Sequence, residues 1–145
     1  MKSNLLLFFI SLSFSFTSYT QVKKVNWTDM ADVKFERTYL EDYADYFLIP
    51  EFGETIKSIE GEQLEIKGYV LDLVEGGTTF LLSQHPMATC FFCGMAGPET
   101  IIELQFETKQ TLKTDQIITV QGVLALNKSD INHCNYILTD VVIIK

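Results

Sequence analysis

Cysteine, histidine, proline and glycine are all scarce here: three, two, three and eight in 145 residues. Few prolines and glycines, against 47% hydrophobic and 12% aromatic residues, exclude a collagen-like or low-complexity disordered chain. Three cysteines are too few for a disulfide framework, and a chain of this length buries a core without one. Basic residues are short as well, 11 against 19 acidic, for a net charge of −8. Phosphate binding needs a basic face, so nucleic acid is not expected as a partner, and an anionic membrane surface is disfavoured for the same reason. Catalytic signatures are missing too. There is no Gly-x-Ser-x-Gly elbow, no phosphate loop and no His-Glu-x-x-His. An exported binding or accessory protein is therefore expected rather than an enzyme.

The one long apolar run stands at the start. Lys2 is the only charge among residues 1–20, Leu5–Phe16 is apolar apart from serines, and Ser18 and Thr20 precede Gln21. Positive end, apolar stretch and small residues form the pattern of a secretory signal peptide cleaved ahead of Gln21. The run is too short for a permanent membrane helix, so no stable membrane insertion is expected after cleavage. Cleavage takes Lys2 from the 11 basic residues and nothing from the 19 acidic ones, leaving 10 against 19 and a net charge of −9. The mature protein is expected in the periplasm or secreted.

Residues 21–61 form the less regular half, expected to pack on the rest. Val33–Leu40 and Tyr46–Phe52 read as extended, and Glu54–Ile59 as a helical turn that Gly61 ends. Trp27, Tyr43, Tyr46 and Phe47 are candidates for stapling this segment down. From residue 62 the pattern turns to β. Leu64, Ile66, Gly68 and Val70 alternate with Glu65, Lys67, Tyr69 and Leu71, the period-two signature of a half-buried strand. Further strands are predicted over Thr79–Ser83, Thr100–Phe106, Ile117–Leu126 and Tyr136–Ile144. Gly68 and Gly122 fall in mid-strand, where glycine permits a bend, a bulge or a close approach. Residues 62–145 are accordingly predicted as a mostly β, five-stranded OB-like Greek-key barrel, with Gly68 and Gly122 near each other on paired strands.

The strongest chemical feature is Cys90-x-x-Cys93 followed by Gly94, within the loop Pro86–Pro98. Two thiolates at that spacing can fill two corners of a tetrahedral zinc site. His133-Cys134, in the connection between the fourth and fifth strands, and His85, ahead of the loop, complete the set of all cysteines and histidines. The candidate metal ligands are therefore Cys90, Cys93, Cys134, His133 and His85. They can meet only if both connections lie at the same end of the barrel. Met87 and Met95 bracket the cysteines and bring copper(I) in as the second choice after zinc. Two other readings stay open. Cys90 and Cys93 can be a structural disulfide, as an oxidising compartment favours, or an exposed thiol–disulfide exchange pair if the first thiol is acidified. The partner is then a metal ion or another exported protein.

Beyond the spacing, Trp27, Pro50-Glu51-Phe52-Gly53, Gly68-Tyr69, Leu82-Ser83, the block Cys90-Phe91-Phe92-Cys93-Gly94-Met95-Ala96-Gly97-Pro98-Glu99, Leu126-Asn127 and Tyr136-Ile137-Leu138 resemble a family of small exported bacterial proteins. That family is a domain of unknown function with an expected OB-like barrel. The resemblance spans nearly all of the mature chain, implies a bacterial periplasmic or extracellular setting, and carries no established reaction.

Overall fold

The computed structural model describes residues 21–145. The signal peptide expected over residues 1–20 lies outside the described residues. Five strands close a barrel: β4 (Gln63–Leu71), β5 (Thr79–Ser83), β6 (Ile101–Gln105), β7 (Ile117–Leu126) and β8 (Tyr136–Ile143). A two-residue strand, β1 (Lys23–Lys24), runs parallel to the start of β4. The order around the barrel is β4-β5-β6-β8-β7 and back to β4. Every pair within the barrel is antiparallel except β6–β8, where Glu103 stands opposite Ile137. This is the expected OB-like arrangement. Among the described residues no helix is long and apolar enough to cross a membrane.

Alternation aims one face of each strand inward. Leu64, Ile66, Val70, Phe80, Leu82, Ile102, Leu104, Val120 and Leu124 meet there, each no more than 2% exposed. Both glycines sit on the paired strands β4 and β7 as expected, but not near each other: they are four residues out of step, Gly68 facing Ile118 and Gly122 facing Leu64. Each answers to a close approach. A Cβ on Gly68 would lie 2.7 Å from the Ser83 carbonyl oxygen and 3.0 Å from the Trp27 ring. One on Gly122 would lie 2.8 Å from the Thr139 carbonyl oxygen, beside a register shift between Gln121 and Val123.

The preceding segment holds a hairpin, β2 (Val33–Leu40) paired with β3 (Asp45–Phe52), turned by Ala44 at φ 50°. Both strands fall where extended chain is predicted; their pairing is what the sequence does not announce. A single turn of helix, α1 (Glu54–Lys57), follows. The Asp32 carboxylate accepts the Thr55 amide at its start, at 2.9 Å, and leaves no room for a side chain at Gly53. Trp27 staples the segment as expected, its indole N–H donating to the Lys67 carbonyl at 2.8 Å. Tyr43 and Tyr46 do not. Each is more than half exposed, Tyr43 packing edge-on against Phe47 and Tyr46 against Tyr39. The buried anchor is Tyr136 instead, whose hydroxyl donates to the Met30 carbonyl at 2.7 Å while its ring lies against Phe52.

Candidate functional site

Strands β5 and β6 are buried on both faces, which alternation alone does not require. On the outer face, Leu71 pairs with Leu81, and Leu81 with Glu103. That row is closed over by two loops, residues 84–100 and 127–135. They leave the same end of the barrel, because β8 runs parallel to β6, so the ends expected to coincide do. Leu71, Leu81 and fully buried Cys90 form one apolar cluster, and Met87 and Cys134 pack against it.

The Cys90 loop is built of short 3-10 turns, over Met87–Thr89 and Phe91–Cys93, and Gly94 closes the second at φ 71°. Only glycine adopts that conformation without cost, which accounts for the residue after the second cysteine. The Cys93 amide donates to the Cys90 carbonyl at 3.1 Å, and its thiol to the Met87 carbonyl at 2.9 Å. All three cysteines are free thiols: Cys90 buried, Cys93 exposed, Cys134 between the two. Phe91 is half-buried and Phe92 exposed, and the two rings pack edge-on against each other at 5.3 Å.

His133 faces elsewhere. Its Nδ1 lies 2.8 and 3.0 Å from the two carboxylate oxygens of Glu103. The Glu103 side chain is 6% exposed, and it also accepts from Gln105 Nε2 at 2.8 Å and the Cys134 amide at 3.2 Å. Four contacts satisfy this buried carboxylate, so its charge can stay on the barrel wall. The hydrogen bond to Glu103, and then its charge, hold the His133 pKa above its ordinary value. Burial, and secondly the Glu103 charge, push the Cys134 thiol up to about 12. Partial burial, and then the neighbouring Cys90, raise Cys93. Neither thiol carries the depressed pKa of a reactive thiolate. His85 stays at the root of its loop, half-buried, its amide donating to the Ser83 hydroxyl at 3.1 Å.

The five candidate ligands thus divide. Cys90 and Cys134 share the outer wall, Cys93 is exposed at the end of the Cys90 turn, His133 is bound to Glu103, and His85 belongs to neither group. Among the described residues no three His, Cys, Asp or Glu side chains gather so as to hold a metal ion. Glu103 is the residue that sequence reasoning missed. With Ile102 and Leu104 pointing inward, period two assigns it to the outer face, which in a lone barrel faces water. The only local signal was Ile101, an apolar residue two positions earlier on that outer face.

Beside this cluster lies a groove of about 440 Å³. Tyr46–Ile49 of β3 form one wall, Phe91, Phe92 and Pro98 another, and residues 128–135 the third. Leu81, Ile101 and Glu103 make the floor. Compared with protein-family models, curated proteins and solved structures, the chain matches none.

Proposed function

We propose that this chain is an exported bacterial binding or accessory protein, periplasmic or secreted, that takes one thiophilic metal ion between Cys90 and Cys93. The observation that carries the reading is the tight turn ended by Gly94, in which the Cys93 amide donates to the Cys90 carbonyl at 3.1 Å and both cysteines stand on one short 3-10 turn. One thiol is buried and the other is at the surface, so an ion there is anchored from inside and reachable by another exported protein. The neighbouring donors are soft: the Met87 thioether and the Cys134 sulfur pack on the same cluster, whereas His133 is engaged by Glu103. An all-sulfur surrounding favours copper(I), while zinc asks for four nitrogen or sulfur ligands. Copper(I) therefore moves ahead of zinc.

Thiol exchange draws no support, because Cys90, the first thiol of the pair, is fully buried and out of reach of a partner disulfide. The second reading is a structural Cys90–Cys93 disulfide, which the short spacing of the two cysteines allows in an oxidising compartment. One preparation separates the two. Protein isolated from a bacterial periplasm without reductant is assayed for metal and for free thiols after chelation. About one equivalent of copper or zinc with all three thiols free, lost in Cys90→Ser and in Cys93→Ser, supports the metal reading. Metal-free protein with a single free thiol at Cys134 leaves only the disulfide.

A further inference from the structure

The β2–β3 hairpin is a sheet of only two strands. Its base is held by buried Pro50 and Phe52, but Tyr39, Tyr46 and Leu48 are each about half exposed. Two strands alone make a marginal sheet, and each leaves one edge whose backbone groups lack a ladder partner. The two edges are not equivalent. On β3, Pro50 has no N–H, and the Tyr46 amide donates to the Asp45 carboxylate at 2.7 Å. Positions 46, 48 and 50 therefore face away from β2, and only Leu48 keeps an amide for a further strand. The residues opposite them, Tyr39, Arg37 and Phe35, then face away from β3 on the free edge of β2. That edge has no proline, and its register with β3 runs without a bulge. Among the described residues no other strand pairs with it. We propose that the β2 edge is an interface with a second copy of this chain. The two edges pair antiparallel about a two-fold axis at Phe35, making one four-stranded sheet.

The occupant is a second copy because the edge complements itself. Charged side chains on an edge strand ordinarily deter pairing, but here their signs alternate along one face. Lys34 and Glu36 flank Phe35 and are both exposed. In an antiparallel pair, residues directly opposite each other share a face. With Phe35 on the axis, Lys34 of each copy stands opposite Glu36 of the other, and the axis makes that ion pair twice. On the other face the two half-buried Phe35 rings meet, and Val33 lies opposite Arg37. Neighbouring registers are worse. An axis at Glu36 opposes two carboxylates, and one at Arg37 opposes two guanidinium groups. β2 itself carries Lys34 and Arg37 against Glu36, so the acidity of the chain is not gathered at this edge. The interface is independent of the metal reading, because no residue of β2 belongs to the cysteine cluster or lines the groove beside it.

The test is sedimentation velocity of the mature chain from micromolar to millimolar concentration, with a phosphine reductant so that no intermolecular disulfide contributes. A reversible, concentration-dependent dimer is expected. Glu36→Lys sets like charges opposite each other at both ion pairs and should weaken the dimer about tenfold or more. Within the hairpin Glu36 stands opposite Ile49, so this change breaks no charge pair of β2 with β3. Adding Lys34→Glu to Glu36→Lys restores opposite signs across the axis and should recover most of the association. A hairpin merely damaged by the first change would not be rescued by the second. Arg37→Pro removes an amide from the free edge, at a position where an edge strand tolerates proline, and should leave a monomer. Circular dichroism checks that each variant is folded. Wild type that stays monomeric throughout overturns the proposal and leaves the edge to another exported chain. Undiminished dimer in Glu36→Lys and in Arg37→Pro, or a double variant no stronger than Glu36→Lys, overturns it as well.

Discussion

The inner and outer faces of β5 and β6 are equally buried and chemically unlike. The inner face is apolar throughout: Phe80 and Leu82 meet Ile102 and Leu104 in the barrel core. The outer face carries Ser83, Leu81 and Glu103, and its cover is loop rather than sheet. A barrel needs the first face to close. The second is needed only by whatever the two loops do, and there the chain buries a carboxylate, two cysteines' surroundings and a histidine contact. Stability belongs to one face and the candidate chemistry to the other.

Substitutions can break that division. The largest effect should come from the inner face, where Leu104→Ala should cost about 2–5 kcal/mol in urea unfolding. Leu81→Ala, beneath the loops, should cost less because loop side chains can settle into the gap; an equal cost would show that the loops are as rigid as the barrel. Gly68→Ala places a methyl against the Ser83 carbonyl and Trp27, and should cost roughly 1–3 kcal/mol. Tyr136→Phe removes the hydrogen bond to Met30 and leaves that carbonyl buried and unpaired. A loss of about 1–3 kcal/mol is expected, without change in the metal or thiol count.

Two smaller effects concern the outer face alone. With a pKa pushed up to about 12, Cys134 is roughly one part in ten thousand thiolate at pH 8. Iodoacetamide should therefore label exposed Cys93 well before Cys134, as read by peptide mass; the reverse order would mean that the loop over Cys134 opens. The raised His133 pKa has a defined sign in stability. The folded protein holds the proton more tightly than the unfolded chain, so the stabilisation is fully present below the unfolded value near 6.5. It is lost as pH rises through the higher folded value. The melting temperature of wild type relative to His133→Gln should fall modestly across that window, and a flat difference would mean that the Glu103 contact is not made in solution.

The barrel was legible in the sequence because period-two alternation is local: Leu64, Ile66 and Val70 announce an inward face whatever lies across from them. So were the two mid-strand glycines, though not the reason for Gly68, since the Trp27 ring over it comes from 41 positions away. The site was half legible. A Cys-x-x-Cys-Gly turn is complete within five residues, so Cys90, Cys93 and Gly94 could be picked out. The engagement of His133 could not, because its partner Glu103 lies 30 residues earlier on a strand whose pattern points it toward water.

Composition and local pattern thus determined an acidic, mostly β chain with five barrel strands and a paired-thiol turn, because each of these depends on neighbours in sequence. Tertiary structure alone decided that the loops fold back over Leu71, Leu81 and Glu103, that the β2–β3 hairpin walls a groove, and that His133 turns to a carboxylate and not to the thiols. Those outcomes depend on which surfaces are left to be covered once the barrel has closed, and closure is a property of long-range strand pairing that no local run of residues encodes.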